Sequence, residues 1–183
     1  MFRKAEPRDL DAIAAIYDRI HDNEEAGKTT IGWIRSIYPT RQTAEDAIGA
    51  GDLFVQTDEG RIVAAGRINQ VQVPEYADAA WAYSAPDDEV MVLHTLVVSP
   101  RAKGKGYGTK FVAFYEQYAL ENGCHYLRMN TNERNREAAL SAEMRWHAQR
   151  DGGVIPPQGK QVFIQLLQNH ILHHLLGLTS ETK

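Results

Sequence analysis

The sequence lacks most features typical of secreted, membrane or nucleic-acid-binding proteins. It has one cysteine, Cys124, among 183 residues, which excludes an internal disulfide framework and fits a reducing cytoplasm. No apolar stretch is long enough to span a bilayer, and no N-terminal apolar segment is typical of a signal peptide. A net charge of −4 disfavours nucleic acid or a membrane surface as the partner.

The chain also has no internal repeat and no low-complexity segment, and its 43% hydrophobic content predicts one globular domain over residues 1–183. Hydrophobic periodicity predicts an α/β (α+β) protein. The expected helices begin at Glu6, span Ile31–Tyr38, begin again near Thr43, and cover Thr109–Asn122 and Asn132–Arg150. The expected strands are Met1–Ala5, Leu53–Val55, Ile62–Ile68, Val90–Val98, Tyr126–Asn130 and a final hairpin formed by Val154–Ile155 and Val162–Leu167.

The most informative stretch runs from Val90 to Gly108. It begins as a run of β-branched and aliphatic residues, which indicates a buried strand, and Pro100 ends that strand because proline has no N–H to donate. A basic, glycine-rich loop follows, and the pattern after it is helical. Glycines allow close backbone approach, and a helix N-terminus presents unpaired N–H groups, so this unit predicts a phosphate or pyrophosphate site.

Two common phosphate-binding motifs do not fit this loop. A P-loop needs Gly-Lys-Ser/Thr after four spacer residues, and that is absent. The glycine spacing at Gly104, Gly106 and Gly108 also differs from the dinucleotide fingerprint, and no βαβ repeat surrounds the loop. A glycine-rich turn with lysines for solubility is the simpler alternative, and the strand, proline and helix around the loop argue against it.

The stretch resembles the acetyl-CoA motif of the GNAT superfamily of N-acyltransferases. That motif is Val-x-Pro, two residues, then Arg/Gln-x-x-Gly-x-Gly/Ala, and here Val98-Ser99-Pro100 precedes Lys103-Gly104-Lys105-Gly106-Tyr107-Gly108. The departure is Lys103, where the family has Arg or Gln. The element order also resembles the GNAT fold, a mixed, mostly antiparallel twisted sheet with flanking helices and the cofactor at the splay between two central strands.

The resemblance implies acetyl-CoA as the cofactor and a primary amine as the acceptor. It also assigns the cofactor contacts to a strand, a loop and a later Asn-x-x-Ala motif. The implied contact residues are Leu96, Val97, Val98, Lys103, Gly104, Lys105, Gly106, Tyr107, Gly108, Thr109, Asn135 and Ala138. The thioester oxygen is expected near the N–H of Val97 or Val98. Many GNAT proteins are dimers, and the leucine-rich tail Asn169–Leu178 could provide a homodimer contact.

Candidates for the proton acceptor are His94 and Glu89. In the arylalkylamine branch of the superfamily, a catalytic histidine lies four residues before the position of Val98, which is where His94 stands. A histidine near its free pKa suits direct or water-relayed deprotonation of an amine. A core histidine satisfied by a hydrogen bond is the equal alternative. Glu89 is a carboxylate at the start of the strand, and Glu24 and Glu25 end the first helix, beside the acceptor groove in this family.

A general acid for the departing thiolate is missing from the expected position. The family places Tyr four residues after the Ala of Asn-x-x-Ala, and here that residue is Ala142, with Trp146-His147 where Gly-Phe is usual. The functional hypothesis is therefore an N-acetyltransferase. The open alternatives are a non-catalytic acyl-CoA-binding module on the same fold and, less favoured, a nucleotide-phosphate binder.

Other chemistry-bearing residues have simpler explanations. Cys124 follows a helix-ending glycine and is expected to be a buried structural thiol. His170 and His174 are one helical turn apart, a spacing that suits zinc, but no third ligand accompanies them and no metal site is predicted. The aromatic-rich segment Asn69–Asp88 has no clear period, and we expect a loop on the acceptor side.

Overall fold

The structure is a computed structural model that describes residues 1–77, 79–132, 135, 147–155 and 159–167. Its strands are β1 (Phe2–Lys4), β2 (Leu53–Asp58), β3 (Arg61–Asn69), β4 (Val90–Val98), β5 (Tyr126–Asn132), β6 (His147–Ile155) and β7 (Gly159–Leu167). Its helices are α1 (Leu10–Glu25), α2 (Arg41–Gly49) and α3 (Tyr107–Glu121), with short 3₁₀ turns at Pro7–Asp9, Pro74–Tyr76, Asp87–Glu89 and Pro100–Ala102. No helix in these ranges is both long and apolar enough to cross a bilayer.

The strands form one sheet in the order β1-β2-β3-β4-β5-β7-β6, and every pair is antiparallel except β4 with β5. The parallel pair is short, because only Val90–Val92 are aligned with Tyr126–Arg128. Both strands continue beyond this contact, β4 to Val98 and β5 to Asn132, without further pairing to each other. The sheet therefore opens between its two central strands, with the edge of β4 exposed to that opening.

The two faces of the sheet are covered by different elements. Helix α3 packs on one face through Phe111, Tyr115 and Ala119, against side chains of β3, β4, β5 and β7. Helices α1 and α2 cover the opposite face over β1 to β3. On that same face, the segment 69–88 covers β4 and β5 through Tyr76, which packs on Val90 and Val92. A gap between the helices and this segment is thus left above β3 and β4.

Capping groups explain where the first two helices begin. Arg3 donates to both oxygens of Asp9 at 2.6 and 2.8 Å, and the Glu6 N–H donates to Asp9 at 2.8 Å. Helix α1 follows this turn, as the Glu6-Pro7 signal predicts. Thr40 caps α2 by accepting the Thr43 N–H at 3.3 Å.

The helix predicted over residues 31–38 is wrong. The helix predicted over residues 132–150 is wrong where the structure describes it, and its residues 133–134 and 136–146 lie outside the described ranges. Residues 31–38 form a turn closed by an isolated bridge between Ile34 and Tyr38. The carboxylate of Glu24 accepts the N–H groups of Ile31 and Gly32, each at 2.8 Å, which takes both groups away from helical bonding. The expected helix over residues 132–150 also fails at its end, because β6 begins at His147. The final hairpin is confirmed as β6 and β7.

Gly66 in β3 supports a prediction about packing. A Cβ at Gly66 would lie 2.8 Å from Phe111 Cε1 and 3.2 Å from Leu93 Cδ1, in the core under α3. We expect Gly66→Ala to lower the free energy of unfolding by roughly 1–3 kcal/mol, because aromatic and aliphatic core groups must move. Denaturant unfolding measures this effect.

Gly49, at the end of α2, supplies the matched control, since a Cβ there has no atom within 4 Å. Gly49→Ala should leave stability unchanged or raise it by up to about 1 kcal/mol, through helix propensity. Equal unfolding midpoints for the two variants would contradict the packing assigned to Gly66.

Candidate active site

The central feature of the site is a β-bulge at Thr95 in β4. Arg67 is aligned with His94 and Ala65 with Val97, so β4 has one residue more than β3 between these pairs. Thr95 adopts φ +49°, which is uncommon for a β-branched residue. The extra residue changes which face each later side chain occupies. Val97 therefore packs under α1 and α2.

The edge of β4 that is exposed to the opening includes the three strand residues expected to contact the cofactor. The side chains of Leu96 and Val98 pack toward α3, and that of Val97 is buried on the other face. Val97 is buried and Leu96 and Val98 are half-buried in this packing, so backbone groups are the main groups left for a ligand at this edge. A pantetheine arm lying beside β4 as an added strand would use such groups.

The glycine loop between β4 and α3 has the geometry of an anion cradle. Gly104 and Gly106 adopt φ +82° and +72°, and a Cβ built on either has no atom within 4 Å. The glycines are required by their backbone conformation, and the space beside them is open. Lys110 N–H donates to the Gly106 carbonyl at 3.0 Å, so the N–H groups of Tyr107, Gly108 and Thr109 precede the helical ladder. Such groups bind phosphate oxygens.

The side chains around this cradle are mostly exposed and basic. Lys103, Lys105, Thr109 and Lys110 lie at the surface of the loop and of the first helical turn. Tyr107 differs, because its hydroxyl donates to Asp58 Oδ2 at 2.5 Å and its ring is buried. This contact fixes the beginning of α3 against the end of β2, so Tyr107 can serve a cofactor through its backbone and not through its hydroxyl.

The later motif is only partly described. Asn135 donates from its backbone to the Asn132 carbonyl at 2.8 Å and from Nδ2 to Thr131 Oγ1 at 3.1 Å, so it is tied to the end of β5. Its contact with a cofactor stays a prediction. Ala138, Ala142, Trp146 and the histidines at 170 and 174 lie outside the described residues, as does the leucine-rich tail.

A cavity of about 300 Å³ lies in the gap above β3 and β4. Its floor comes from the two strands, and its walls come from the α1–α2 connection, the start of α2 and the beginning of the segment 69–88. The lining residues are Tyr38, Thr43, Arg67, Asn69, Val71, Gln72, Val73, Pro74, His94 and Thr95. The bulge residue and His94 therefore belong to this cavity, so it adjoins the part of β4 that borders the opening. The Tyr38 hydroxyl hydrogen-bonds to Thr95 Oγ1.

A chain of hydrogen bonds assigns the tautomer of His94. Arg67 Nε donates to both oxygens of Asp52 at 3.0 and 2.9 Å, and Asn69 Nδ2 donates to Asp52 at 2.6 Å. The carboxylate only accepts, so Asn69 Oδ1 is the group that faces His94. His94 Nε2 lies 3.1 Å from this oxygen and 3.0 Å from the Val71 carbonyl, and both are acceptors. The proton is therefore on Nε2, and Nδ1 keeps the lone pair.

This environment also keeps the ring neutral. Burial lowers the pKa of His94 to about 4, with a further contribution from the nearby charge of Arg67. The expectation that His94 has a pKa near its free value is therefore wrong. The alternative, a histidine satisfied by hydrogen bonds, holds for Nε2. The ring nevertheless lines the cavity. The role of His94 as proton acceptor stays a prediction.

The other candidate acids are not brought into the cavity. Glu89 lies in the 3₁₀ turn before β4, five residues from His94, and does not line the cavity. The Glu24 carboxylate accepts hydrogen bonds from Thr29, Ile31 and Gly32. Glu25 pairs with Arg35 at 2.8 Å on the surface of α1. Cys124 is buried, and this burial raises the pKa of its thiol, which disfavours a nucleophilic role.

The segment 69–88 is docked on the sheet by polar side chains. Arg128 of β5 stacks on Trp81 with its guanidinium carbon 4.3 Å from the ring centroid, and it also donates to Gln72. The Tyr76 hydroxyl donates to Asn130 at 2.8 Å. Gln165 of β7 pairs with both backbone groups of Tyr83, each at 2.9 Å. The segment 69–88 is thus held against the sheet, and Val71 to Pro74 line the cavity. Its role on the acceptor side stays a prediction.

Sequence reasoning missed four residues of this site, namely Tyr38, Asp52, Arg67 and Asn69. A signal existed for two of them: Arg67 and Asn69 are polar residues two apart in an otherwise apolar strand, so they share one face. No local signal marks Asp52 or Tyr38, because their partners lie 15 to 57 residues away in the chain.

The opened sheet and the glycine cradle before a helix fit a protein that binds a phosphate-bearing cofactor, and the cavity lies beside the bulge. The profile of the Acetyltransferase (GNAT) family matches residues 14–142, and the chain belongs to this family. Its cofactor is accordingly acetyl-CoA, and the open space and unbonded N–H groups of the cradle fit that group.

Solved structures of similar fold agree with this assignment. An acetyltransferase of the GNAT family from Streptococcus agalactiae has a TM-score of 0.75 at 16% identity, covering 91% of this chain and 94% of that one. A ribosomal-protein-alanine N-acetyltransferase from Brucella melitensis has a TM-score of 0.64 at 18% identity, with 91% and 99% covered. An acetyltransferase from Salmonella typhimurium, solved with acetyl-CoA, has a TM-score of 0.64 at 15% identity, with 92% and 94% covered. No curated protein matches the chain.

Proposed function

We propose that this protein is an N-acetyltransferase that moves the acetyl group of acetyl-CoA to a primary amine of a small molecule, in a ternary complex. The observation that carries the proposal is the position of the cavity. It contains His94 and the Thr95 bulge, and the free edge of β4 continues directly from them. A cofactor arm along that edge and an amine in the cavity would meet at the bulge.

The residues of the glycine loop, the start of α3 and β4 would have separate roles in binding and activating the cofactor. The N–H groups at the start of α3 and the basic side chains of Lys103 and Lys105 would hold the pyrophosphate. A backbone N–H of Val97 or Val98 would polarise the acyl oxygen. Ser99 N–H donates to the Val63 carbonyl of β3, and N–H groups alternate between the two edges of a strand, so the Val98 N–H is the one that faces the free edge. Acetyl-CoA supplies the activated acetyl group.

The amine must lose its proton before its nitrogen can bond to the acyl carbon. With a pKa of about 4, His94 is a weak base, so we propose that it receives a hydrogen bond at Nδ1 from the neutral amine or from a water. Its Nε2–H donates to the Val71 carbonyl and to Asn69 Oδ1, which keeps the ring in one orientation. Removal of the proton then falls largely to solvent.

This mechanism predicts how the rate depends on pH. Because His94 stays neutral above pH 5, kcat/KM should show no inflection near 6.5 and should rise with pH until the acceptor amine is deprotonated. Measuring kcat/KM from pH 5.5 to 9.5 with two acceptors of different amine pKa tests this, since the inflection should follow the acceptor. An inflection near 6.5 that ignores the acceptor and disappears in His94→Gln would show that His94 is the base.

A non-catalytic acyl-CoA-binding module is the second candidate, and the observation that favours it is the weak basicity of His94. Release of free thiol from acetyl-CoA over a panel of primary amines separates the two functions. Turnover that depends on the amine supports the transferase. Tight CoA binding without thiol release for any amine would establish the binding module.

A further inference from the structure

Arg67 presents unused hydrogen-bond donors to the cavity. Its Nε makes both of its contacts with Asp52, and the Nη1 and Nη2 groups make no hydrogen bond to the part of the chain that the structure describes. The side chain is 34% exposed and lines the cavity. A guanidinium held in this way leaves its planar Nη edge for a carboxylate, which accepts two parallel hydrogen bonds.

The charge that lines the cavity is positive. Arg67 is the charged member of the lining, because no carboxylate is among these residues and His94 is neutral. Asp52 lies behind Arg67 and its side chain is 15% exposed, so it orients the guanidinium rather than meeting a ligand. As far as the described residues line it, the cavity therefore favours an anionic group and offers no carboxylate for an ammonium.

The distance between Arg67 and His94 suits a small molecule. The two residues are directly aligned across β3 and β4, both line the same cavity, and the charge of Arg67 acts on the imidazole of His94. A ligand with an amine at His94 and an anion at Arg67 thus needs only a few bonds between the two groups. The cavity of about 300 Å³ lies at the lower end of small-molecule sites and suits a single amino acid better than a peptide.

We infer that the acceptor is a small amino acid whose carboxylate is bound by the Nη edge of Arg67, while its amine is directed toward the bulge in β4. This inference rests on the proposed acetyltransferase function. It names Arg67 as a specificity-determining residue. Asp52 is a positioning residue, because it acts through Arg67.

The test uses three matched acceptors, L-leucine, L-leucinamide and 3-methylbutylamine, which share a side chain and differ in the carboxylate. Thiol release is compared at equal concentrations of the free amine, so that the protonated fraction does not enter, and the change of each ratio between wild type and variant cancels the different nucleophilicities of the three amines. We expect kcat/KM for leucine to exceed that for leucinamide by about tenfold or more. In Arg67→Gln the ratio should fall toward one, and Arg67→Lys should restore it only in part, because lysine cannot bind both carboxylate oxygens in a fork.

Arg61→Gln, an exposed arginine at the start of the same strand, is the matched control and should keep the wild-type ratio. A wild-type ratio of one or below, or an unchanged ratio in Arg67→Gln, would overturn the inference while leaving the acetyltransferase intact. If no amine gives turnover, the proposed function fails instead. Calorimetric titration of the CoA-loaded protein with leucine and leucinamide then decides the subsite: preferential leucine binding that is lost in Arg67→Gln supports it, and equal binding refutes it.

Discussion

Replacing Gly106 with glutamate is expected to abolish acetyl-CoA binding, with an affinity loss of about 100-fold or more. Gly106 adopts φ +72° immediately before α3, and its Cβ position opens onto the space where the pyrophosphate is expected. A carboxylate there would occupy the anion site and repel the phosphates. Calorimetric titration with CoA measures the loss directly, without reference to catalysis.

The control for Gly106→Glu is Gly123→Glu, at the other end of α3. Gly123 has φ +75° and equally open surroundings, so the two variants introduce the same charge and the same backbone strain, about 1–2 kcal/mol. The positions are on the order of 25 Å apart along the helix. Both variants should lose similar stability, and only Gly106→Glu should lose CoA. Retained affinity in Gly106→Glu would reject the loop as the pyrophosphate site.

Replacing Arg128 with alanine is expected to damage the acceptor side while sparing the cofactor side. The residue is 6% exposed, stacks on Trp81 and donates to Gln72, so its removal loosens the segment 69–88 on β5, where the Tyr76 hydroxyl still bonds to Asn130. We expect the free energy of unfolding to fall by roughly 2–4 kcal/mol, from lost packing and the lost cation–π contact. The KM for the acceptor should rise at least about tenfold, because Val71 to Pro74 form a wall of the cavity.

Two comparisons make this result specific. Arg8→Ala removes an arginine whose side chain is 73% exposed and whose partner is Glu6, so we expect a change within about 1 kcal/mol. The KM for acetyl-CoA should be nearly the same in Arg128→Ala as in the wild type. An equal rise of both KM values would mean that Arg128 supports the whole fold and not the acceptor wall in particular.

The contrast between the two halves of the site explains what sequence reasoning could reach. The cofactor half lies within one continuous stretch, where Pro100, the glycines and the start of α3 each have a local signal. The proposed acceptor half, the cavity beside the bulge, depends on contacts between residues far apart, such as Asp52 with Asn69 and Tyr38 with Thr95. No periodicity indicates such pairs, so Asp52 and Tyr38 were not expected at the site.

The error at residues 31–38 comes from a contact between residues only seven and eight positions apart. The local pattern favours a helix there, and a single carboxylate, that of Glu24, competes successfully for the N–H groups of Ile31 and Gly32. The result places Tyr38 at the cavity rather than on a helix face. Hydrogen bonds from these two N–H groups to a side chain thus outweighed the local preference for a helix.

The sequence by itself determined the strand, the glycine cradle and the helix from Val90 to Glu121, because these depend on proline, glycine and hydrophobic spacing along one segment. Only the tertiary structure decided the chemistry next to them. The bulge at Thr95 appears when β4 aligns with β3, and the neutral state of His94 follows from its burial beside Arg67. The pKa of His94 depends on the groups that surround its ring in three dimensions, and these cannot be read from the order of residues in the chain.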